Sequence, residues 1–503
     1  MPPLDAARPT RRTFLHAASA APIVAAAPAA APTGGRLELF LDRDLAERFS
    51  GGARLRLHHP ERREIALVHD APWEGSGTGY HTVFQDGARY RMYYKAWSLA
   101  NPRKPPKVLI CYAESGDGVR WEKPNLDLVE YAGSKRNNIL LDDVGGGYAH
   151  DFSPFLDLNP AATPDARYKG AGLGKPTGLY GLKSADGVHW VKLQEQPILS
   201  QGVLDTQNIT FWDARVRLYR AYIRDFDSGR RDIKTATSPD YLHWSKAEWL
   251  RYPGAPAEQL YTNQVKPYYR APHLYIGFPS RYVDRGWTES ALHLPELDLR
   301  RQRAQISPRY GTAVTDALLM SSVDGLHFHR WDEAFLRPGP RTRHNWSYGD
   351  NYLAWHVVET ASPADDEPRE LSLYATESYF TGAESRLRRL ALRIDGFVSA
   401  FAPLGGGETI TRAFTYSGRT LSINYSTSAG GGLRFELQDA SGVALPGCEL
   451  DACDPIYGDS IRQQVAWKDA PDLSRWEGRP VRLRIELRDA DLYSFQFGPL
   501  QAG

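Results

Sequence analysis

The chain has 503 residues, with 61 basic against 60 acidic side chains and a net charge of +1. That balance, without Lys/Arg blocks or a basic tail, excludes nucleic acid and anionic membrane as the main partner, and no apolar run beyond the first thirty residues reaches the length of a membrane span. Aromatics at 12%, with 13 Trp and 27 Tyr, suit an all-β protein with sugar-sized stacking surfaces, and three cysteines are too few for a disulfide framework.

Thr10-Arg11-Arg12-Thr13-Phe14-Leu15, followed by an Ala-rich stretch to Ala31, reads as a twin-arginine export signal over residues 1–31. It predicts a periplasmic or secreted protein, exported already folded. Residues 36–68 hold β-like runs such as Leu37-Glu-Leu-Phe-Leu41. These either close a ring of sheets or join a C-terminal unit; the pattern leaves both open.

Four copies of one phrase follow: Ser115-Gly-Asp117-Gly-Val-Arg-Trp121, Ser184-Ala-Asp186-Gly-Val-His-Trp190, Ser238-Pro-Asp240-Tyr-Leu-His-Trp244 and Ser322-Val-Asp324-Gly-Leu-His-Phe328. Each follows a β-like run, supplies an Asp-Gly turn (Asp240-Tyr241 in the third) and returns an aromatic to the apolar layer. The aromatic ends lie 69, 54 and 84 residues apart, so similar units carry insertions of different size. Strands opening at Tyr80, Asp151, Asp205 and Tyr261 precede the phrases. A fifth unit without the phrase runs through Asn345-Trp346, Tyr352–Val358 and Leu371–Thr376.

Repeated antiparallel units of this kind predict a five-bladed β-propeller over residues 32–400, with one short helix near Pro295–Arg303. From Gly405 onward, period-two runs such as Thr420–Tyr425, Leu433–Leu437, Val481–Leu487 and Tyr493–Phe497 predict a β-sandwich over 401–503. The fold class is therefore all-β, a five-bladed β-propeller followed by a β-sandwich. Cys448 and Cys453 have the spacing of a small loop that a disulfide would stabilise by about 2 kcal/mol. Cys111 alternates like a buried strand residue, and no Cys/His spacing suits zinc. Gly170-Ala-Gly-Leu-Gly174-Lys175-Pro176 lacks the spacing and following helix of a phosphate loop.

Propeller chemistry sits at the mouth of the central channel, so acids at the openings of inner strands are the candidates for catalysis. They are Asp70 and Glu74 before the first unit, Asp151 in the second, Asp205 in the third and Glu258 in the fourth; Asp350 lies in the fifth opening. Around them, His150, Asn208, Asn263, Arg224 and Arg281 are candidates to bind hydroxyls, and Trp73, Trp212 and Trp346 to stack on sugar rings.

Five such units with a C-terminal β-sandwich resemble the family 32 and family 43 glycosidases. The phrase itself is similar to the sialidase Asp box, with one residue fewer between Asp and Gly, and is a structural turn. The resemblance implies a glycoside hydrolase acting on an exogenous poly- or oligosaccharide through three acids. Glu74 or Asp70 would be nucleophile or base, Asp151 the orienting stabiliser, Asp205 a further acid and Glu258 the reserve general acid. It implies a carbohydrate partner and no catalytic cofactor, with a structural calcium ion in the channel of some members. The family 32 phrase Trp-Met-Asn-Asp-Pro-Asn-Gly is absent, as is Arg-Asp-Pro in the third unit, so fructoside specificity is not implied. The alternatives are a non-catalytic carbohydrate-binding or scaffold propeller and a glycoside phosphorylase on the same fold.

Overall fold

The computed structural model describes residues 35–97, 108–144, 149–364, 366–381 and 384–498. The export signal lies outside the described residues. Five four-stranded antiparallel sheets follow one another along the chain. The first is Gly79–Asp86, Arg89–Ala96, Leu109–Ser115 and Ile139–Leu141; the second is His150–Leu156, Tyr168–Gly174, Gly178–Ser184 and Val191–Lys192. The third is Ile209–Asp213, Leu218–Asp227, Arg230–Ser238 and Glu248–Trp249; the fourth is Lys266–Tyr268, Ala271–Gly277, Met320–Ser322 and His329–Arg330. The fifth combines Val358–Thr360, Glu370–Glu377 and Arg386–Arg393 with Glu61–Val68 from the other end of the chain. The fourth unit carries an insertion with a three-stranded sheet (Gln259–Leu260, Ser280–Asp284, Ala313–Ala317) and short helices, the longest at Leu297–Ala304. Among the described residues no helix is long and apolar enough to cross a membrane.

This is an all-β protein, a β-propeller joined to a β-sandwich. A ring of sheets has to satisfy the polar backbone of its innermost strands, and here it does so across the axis. Trp355 N–H donates to His81 O at 2.8 Å and Val83 N–H to Trp355 O at 3.0 Å, tying the fifth unit to the first. The wholly buried Trp355 indole donates to Val265 O. The Gln207 amide donates to Tyr80 O, His81 O and Thr82 Oγ1, and its carbonyl accepts from Gln264 Nε2 at 2.6 Å.

The four phrases are one turn built four times. In the first, Ser115 Oγ accepts from the N–H of Gly118 while Asp117 Oδ1 accepts from the N–H groups of Val119 and Arg120. Asp186, Asp240 and Asp324 repeat the aspartate half of this pattern. Residue four of each turn is left-handed: Gly118, Gly187, Tyr241 and Gly325 have φ of 75°, 79°, 71° and 78°. Burial of Asp324 favours its neutral form, but the N–H groups of His327 and Leu326 outweigh it and lower the pKa to about 2. A lowered folded-state value contributes stability that is present above the unfolded value near 3.8 and lost as pH falls through about 2. Asp324→Asn will therefore flatten the fall of Tm with acidification in that window, and an unchanged Tm–pH curve would contradict the turn's role.

The turns also join neighbouring sheets. Opposite the phrase serines Ser115, Ser184, Ser238 and Ser322 stand Tyr90, Tyr168, Tyr219 and Tyr275. Three residues further along the same strands come Tyr93, Ala171, Tyr222 and Phe278. Tyr93 OH donates to Gly187 O of the next sheet's turn at 2.9 Å, and Tyr222 OH to Gly325 O at 2.9 Å. Tyr374 of the fifth sheet donates to Gly118 O in the same way. The second sheet has only Ala171 there, and the turn it faces is the one with Tyr241 in place of glycine. The Tyr241 ring fills the gap against Phe155 and Tyr219, its hydroxyl 2.7 Å from Thr210 Oγ1. Phe278 faces the fifth unit, which has no phrase, and packs on Phe335 and Phe397.

A second repeat joins the sheets nearer the axis. Asp86 accepts from Arg91 Nε of its own sheet at 3.0 Å and from Tyr168 OH of the next at 2.5 Å. Asp157 does the same with Lys169 and Tyr219, and Asp213 with Arg220 and Tyr275. Each carboxylate thus meets a cation and a hydroxyl, Asp86 a second cation in Arg167, which is the condition for burying it without a large desolvation loss.

The strands of the sandwich pair into one eight-stranded sheet. Thr420–Asp439 and Val481–Gly498 form one long hairpin whose register shifts between Thr427 and Gly432. One half pairs with Gly407–Thr411 and the other with Leu37–Leu39. Ala46–Gly51 and Arg54–Leu57 add to Gly407–Thr411 and Val398–Ala402. The N-terminal segment therefore serves both uses: strands up to Leu57 enter the sandwich and Glu61–Val68 closes the ring. Cys448 and Cys453 are free thiols in the buried sandwich core, and Cys111 is buried in the first sheet.

Candidate active site

The mouth is the end of the channel where the inner strands begin. Tyr80 and Asp151 occupy matching positions there, at irregularities in the pairing of the first and second sheets. Both residues are left-handed, with φ of 55° and 53°. Bulges re-aim a side chain at a sheet's end, and left-handed backbone at a non-glycine residue persists only where its surroundings hold it.

Asp151 is buried, with Oδ1 3.3 Å from Lys95 Nζ and Oδ2 against His150 Nδ1. The other imidazole nitrogen lies 3.5 Å from Oδ1 of Asp205, whose side chain is 63% exposed. One donor atom from each of His150, Asp151 and Asp205 falls within 4.8 Å of the others. Burial alone would push the Asp151 carboxyl up, but His150 and Lys95 outweigh it and hold it below the ordinary carboxylate value. Lys95 is itself buried, 4.2 Å from the Tyr80 ring centre.

Beside this group lies a wall of aromatic residues, Tyr80, Tyr261, Tyr282, Tyr348, Tyr352, Tyr379 and Phe380, all buried, with Trp97 and Tyr310 packed on them. Tyr80 and Tyr261 each stack on Tyr352, at 5.7 and 5.6 Å, and Tyr348 OH donates to Tyr261 OH at 2.5 Å. Behind it the wholly buried Asp350 accepts from the N–H groups of Ser347 and Tyr379. Burial dominates and raises its pKa to about 8, so at neutral pH it supports the Tyr379 loop largely as the acid.

Of the residues singled out from the sequence, the structure brings Asp151, Asp205 and His150 together. Glu74 is set apart. Its side chain has no exposure, Oε1 accepts from Tyr94 OH at 2.6 Å, and Oε2 accepts from Lys123 Nζ at 2.6 Å and Ala71 N–H at 3.0 Å. Asp70 is exposed beside the same lysine. Trp73 donates to Asn138 and meets Tyr131 edge-on. Glu258 is bound by Arg281 and Arg330, and Arg281 also by Asp316. Asn208 donates to Leu204 O and Thr206 O, and Asn263 to Tyr222 O, so both amides brace the backbone. Trp212 packs edge-on against Tyr219, and Trp346 donates to Gly339 O. Arg224 is buried with its guanidinium 5.0 Å from the Tyr261 ring centre.

Lys95, the tyrosine wall, Arg231 and Arg309 were not foreseen from the sequence. The one signal for Lys95 is a lone cation inside an otherwise apolar run, Tyr93-Tyr94-Lys95-Ala96.

The fold resemblance raises calcium, and the donors can be tested for it. Calcium takes about six to eight oxygen ligands. His150, Asp151 and Asp205 instead offer an imidazole and two carboxylates, one of them already facing the Lys95 ammonium. The set does not suit calcium, and no step is assigned to it.

No family model matches the chain, and no curated protein matches it. Solved structures similar to it include the catalytic domain of a Coprinopsis cinerea family 62 α-L-arabinofuranosidase, at 9% identity over 67% of this chain and 99% of that one, with a TM-score of 0.42. A glycosyl hydrolase from Bacteroides ovatus is 13% identical over 67% and 94% of the two chains, with a TM-score of 0.41. An N-acetylgalactosamine deacetylase from F. plautii, in complex with blood group B trisaccharide, is 12% identical over 68% and 96%, also with a TM-score of 0.41.

Proposed function

We propose that the protein is a glycoside hydrolase whose reaction centre is Asp151, His150 and Asp205, acting outside the cytoplasm on a poly- or oligosaccharide. The supporting observation is the placement of one anionic buried carboxylate and one exposed carboxylate within 4.8 Å, bridged by an imidazole, beside an aromatic wall. Glycosidic cleavage builds oxocarbenium-like positive charge and needs a proton at the leaving oxygen. Asp151, held ionised by Lys95 and His150, balances the charge. Asp205, open to the substrate side and linked to His150, donates a proton to the leaving oxygen as the glycosidic C–O bond breaks, and takes one back from the water that then adds to the anomeric carbon. Export rests on the twin-arginine sequence.

Retaining enzymes place their two carboxyl groups about 5–5.5 Å apart and inverting ones about 6.5–9.5 Å. Here an imidazole stands between the two carboxylates, so they do not flank a sugar ring as either pair does. A panel of polysaccharides and aryl glycosides identifies the substrate. On it, Asp205→Asn will lower kcat by about 10²–10⁴-fold, the range for losing an acid–base group, with Tm unchanged. Full turnover in that variant removes the assignment.

A further inference from the structure

The arginines of the mouth differ from those elsewhere in the protein. Arg220, Arg389 and Arg62 are paired with Asp213, Glu370 and Glu377. Arg224, Arg231 and Arg309 have no carboxylate partner among the described residues. Arg224 donates through Nε to Val203 O, and Arg231 through Nη1 to Gln259 Oε1. Arg231 Nε is a buried donor with no hydrogen-bond acceptor among the described residues, and Arg309 faces only the neutral Tyr282 hydroxyl.

All three guanidinium groups face the same aromatic wall. Arg231 lies 4.6 Å from the Tyr282 ring centre and 5.3 Å from that of Tyr261, and Arg224 lies 5.0 Å from Tyr261. Arg309 lies 4.8 Å from Tyr310 and 5.1 Å from Tyr348. Arg224 and Arg231 come from the long hairpin of the third sheet, and Arg309 from the insertion of the fourth. Arg309, Arg231 and Asp205 all act electrostatically on the Tyr310 hydroxyl, so two of the cations and the exposed carboxylate share one neighbourhood. The helix above adds Arg300 and Arg303, both bound to backbone carbonyls rather than to acids.

One buried and two part-buried cations brought together without counter-charges carry a desolvation and repulsion cost that stability does not require. Guanidinium groups with free N–H donors match the planar or tetrahedral oxygens of an anion. We propose that the glycan bound at this mouth is acidic, with a carboxylate or sulfate oxyanion on the ring beside Asp205 held by Arg231 and Arg309, and Arg224 supplying charge from behind. The inference rests on the reading of this mouth as the glycan site. Aromatic faces then carry the sugar rings while the arginines select their charge.

The test is calorimetric titration of the full chain with oligogalacturonate, its methyl-esterified neutral counterpart and a keratan sulfate oligosaccharide, which carries sulfate and no carboxylate. One of the two acidic glycans is expected to bind about tenfold or more tightly than the neutral one, as befits a charge-assisted hydrogen bond. The preferred glycan tells carboxylate from sulfate. Arg231→Gln and Arg309→Gln, checked for an unchanged thermal transition, will each abolish that preference, and Arg309→Lys will keep part of it. Equal binding of all three glycans, or a preference that survives both glutamine variants, overturns the proposal. Turnover of a neutral glycoside that requires inorganic phosphate and releases a sugar phosphate also overturns it, because the arginines would then hold the attacking group. Selective binding of acidic glycans with no cleavage of any would leave this proposal standing and remove the hydrolase reading. Cleavage of neutral glycans without acidic preference would do the reverse.

Discussion

Asp151→Asn is expected to lower kcat by about 10²–10³-fold, the range for deleting one preorganised electrostatic stabiliser. The substitution keeps shape but removes the negative charge where positive charge develops, and leaves the Lys95 ammonium 3.3 Å away uncompensated. Stranding a buried charge costs about 3–5 kcal/mol, so Tm will fall as well. Adding Lys95→Met separates the two effects: the double variant should recover much of the lost Tm and none of the lost turnover. An Asp151→Asn protein that is folded and retains turnover within about tenfold of the parent would refute the electrostatic role assigned to this carboxylate.

The second large effect is one of stability. Tyr241→Gly removes a ring that fills the space beside Ala171, which by analogy with Phe→Ala changes costs about 3–5 kcal/mol, offset by about 1 kcal/mol from relief of the left-handed backbone. The turn would then match its three counterparts, all glycine at this place, yet the protein should be less stable. Ala171→Tyr in the same background puts a tyrosine at the register of Tyr93 and Tyr222 and should restore most of the loss in urea unfolding. If Tyr241→Gly unfolds at the parent's midpoint, or Ala171→Tyr gives no recovery, the compensation between these two sheets is not the reason for Tyr241.

The ring was legible because its signal is local. Each phrase closes its hydrogen bonds within three residues, between Ser115 and Gly118 or Asp117 and Arg120, so sequence spacing reports the turn directly. The joining of sheets was not legible, since Asp157 meets Tyr219 sixty-two positions away. At the site, Asp151, His150 and Asp205 could be read because they stand beside strand openings. Glu74 stands beside one too, but Lys123 and Tyr94 capture it. The first unit instead presents Tyr80, through a bulge that no local pattern announces. Asn208 and Asn263 share a register, yet their amides are consumed by carbonyl groups. Arg231 and Arg309 lie on a hairpin and an insertion whose approach is set only by tertiary packing.

The pairing of Leu37–Leu39 with Ser494–Gln496 brings the two ends of the described chain side by side in one sheet. A short linker joining residue 498 back to residue 36 should therefore add little strain, and new termini can be opened at an exposed turn between the third and fourth sheets such as Pro253-Gly254. In such a circular permutant the strand Glu61–Val68 would be synthesised after its partner Arg386–Arg393 instead of more than three hundred positions before it. Ring closure would then change from the longest-range pairing in the propeller into a much shorter one, and the rearranged protein should refold faster than the natural order of the chain.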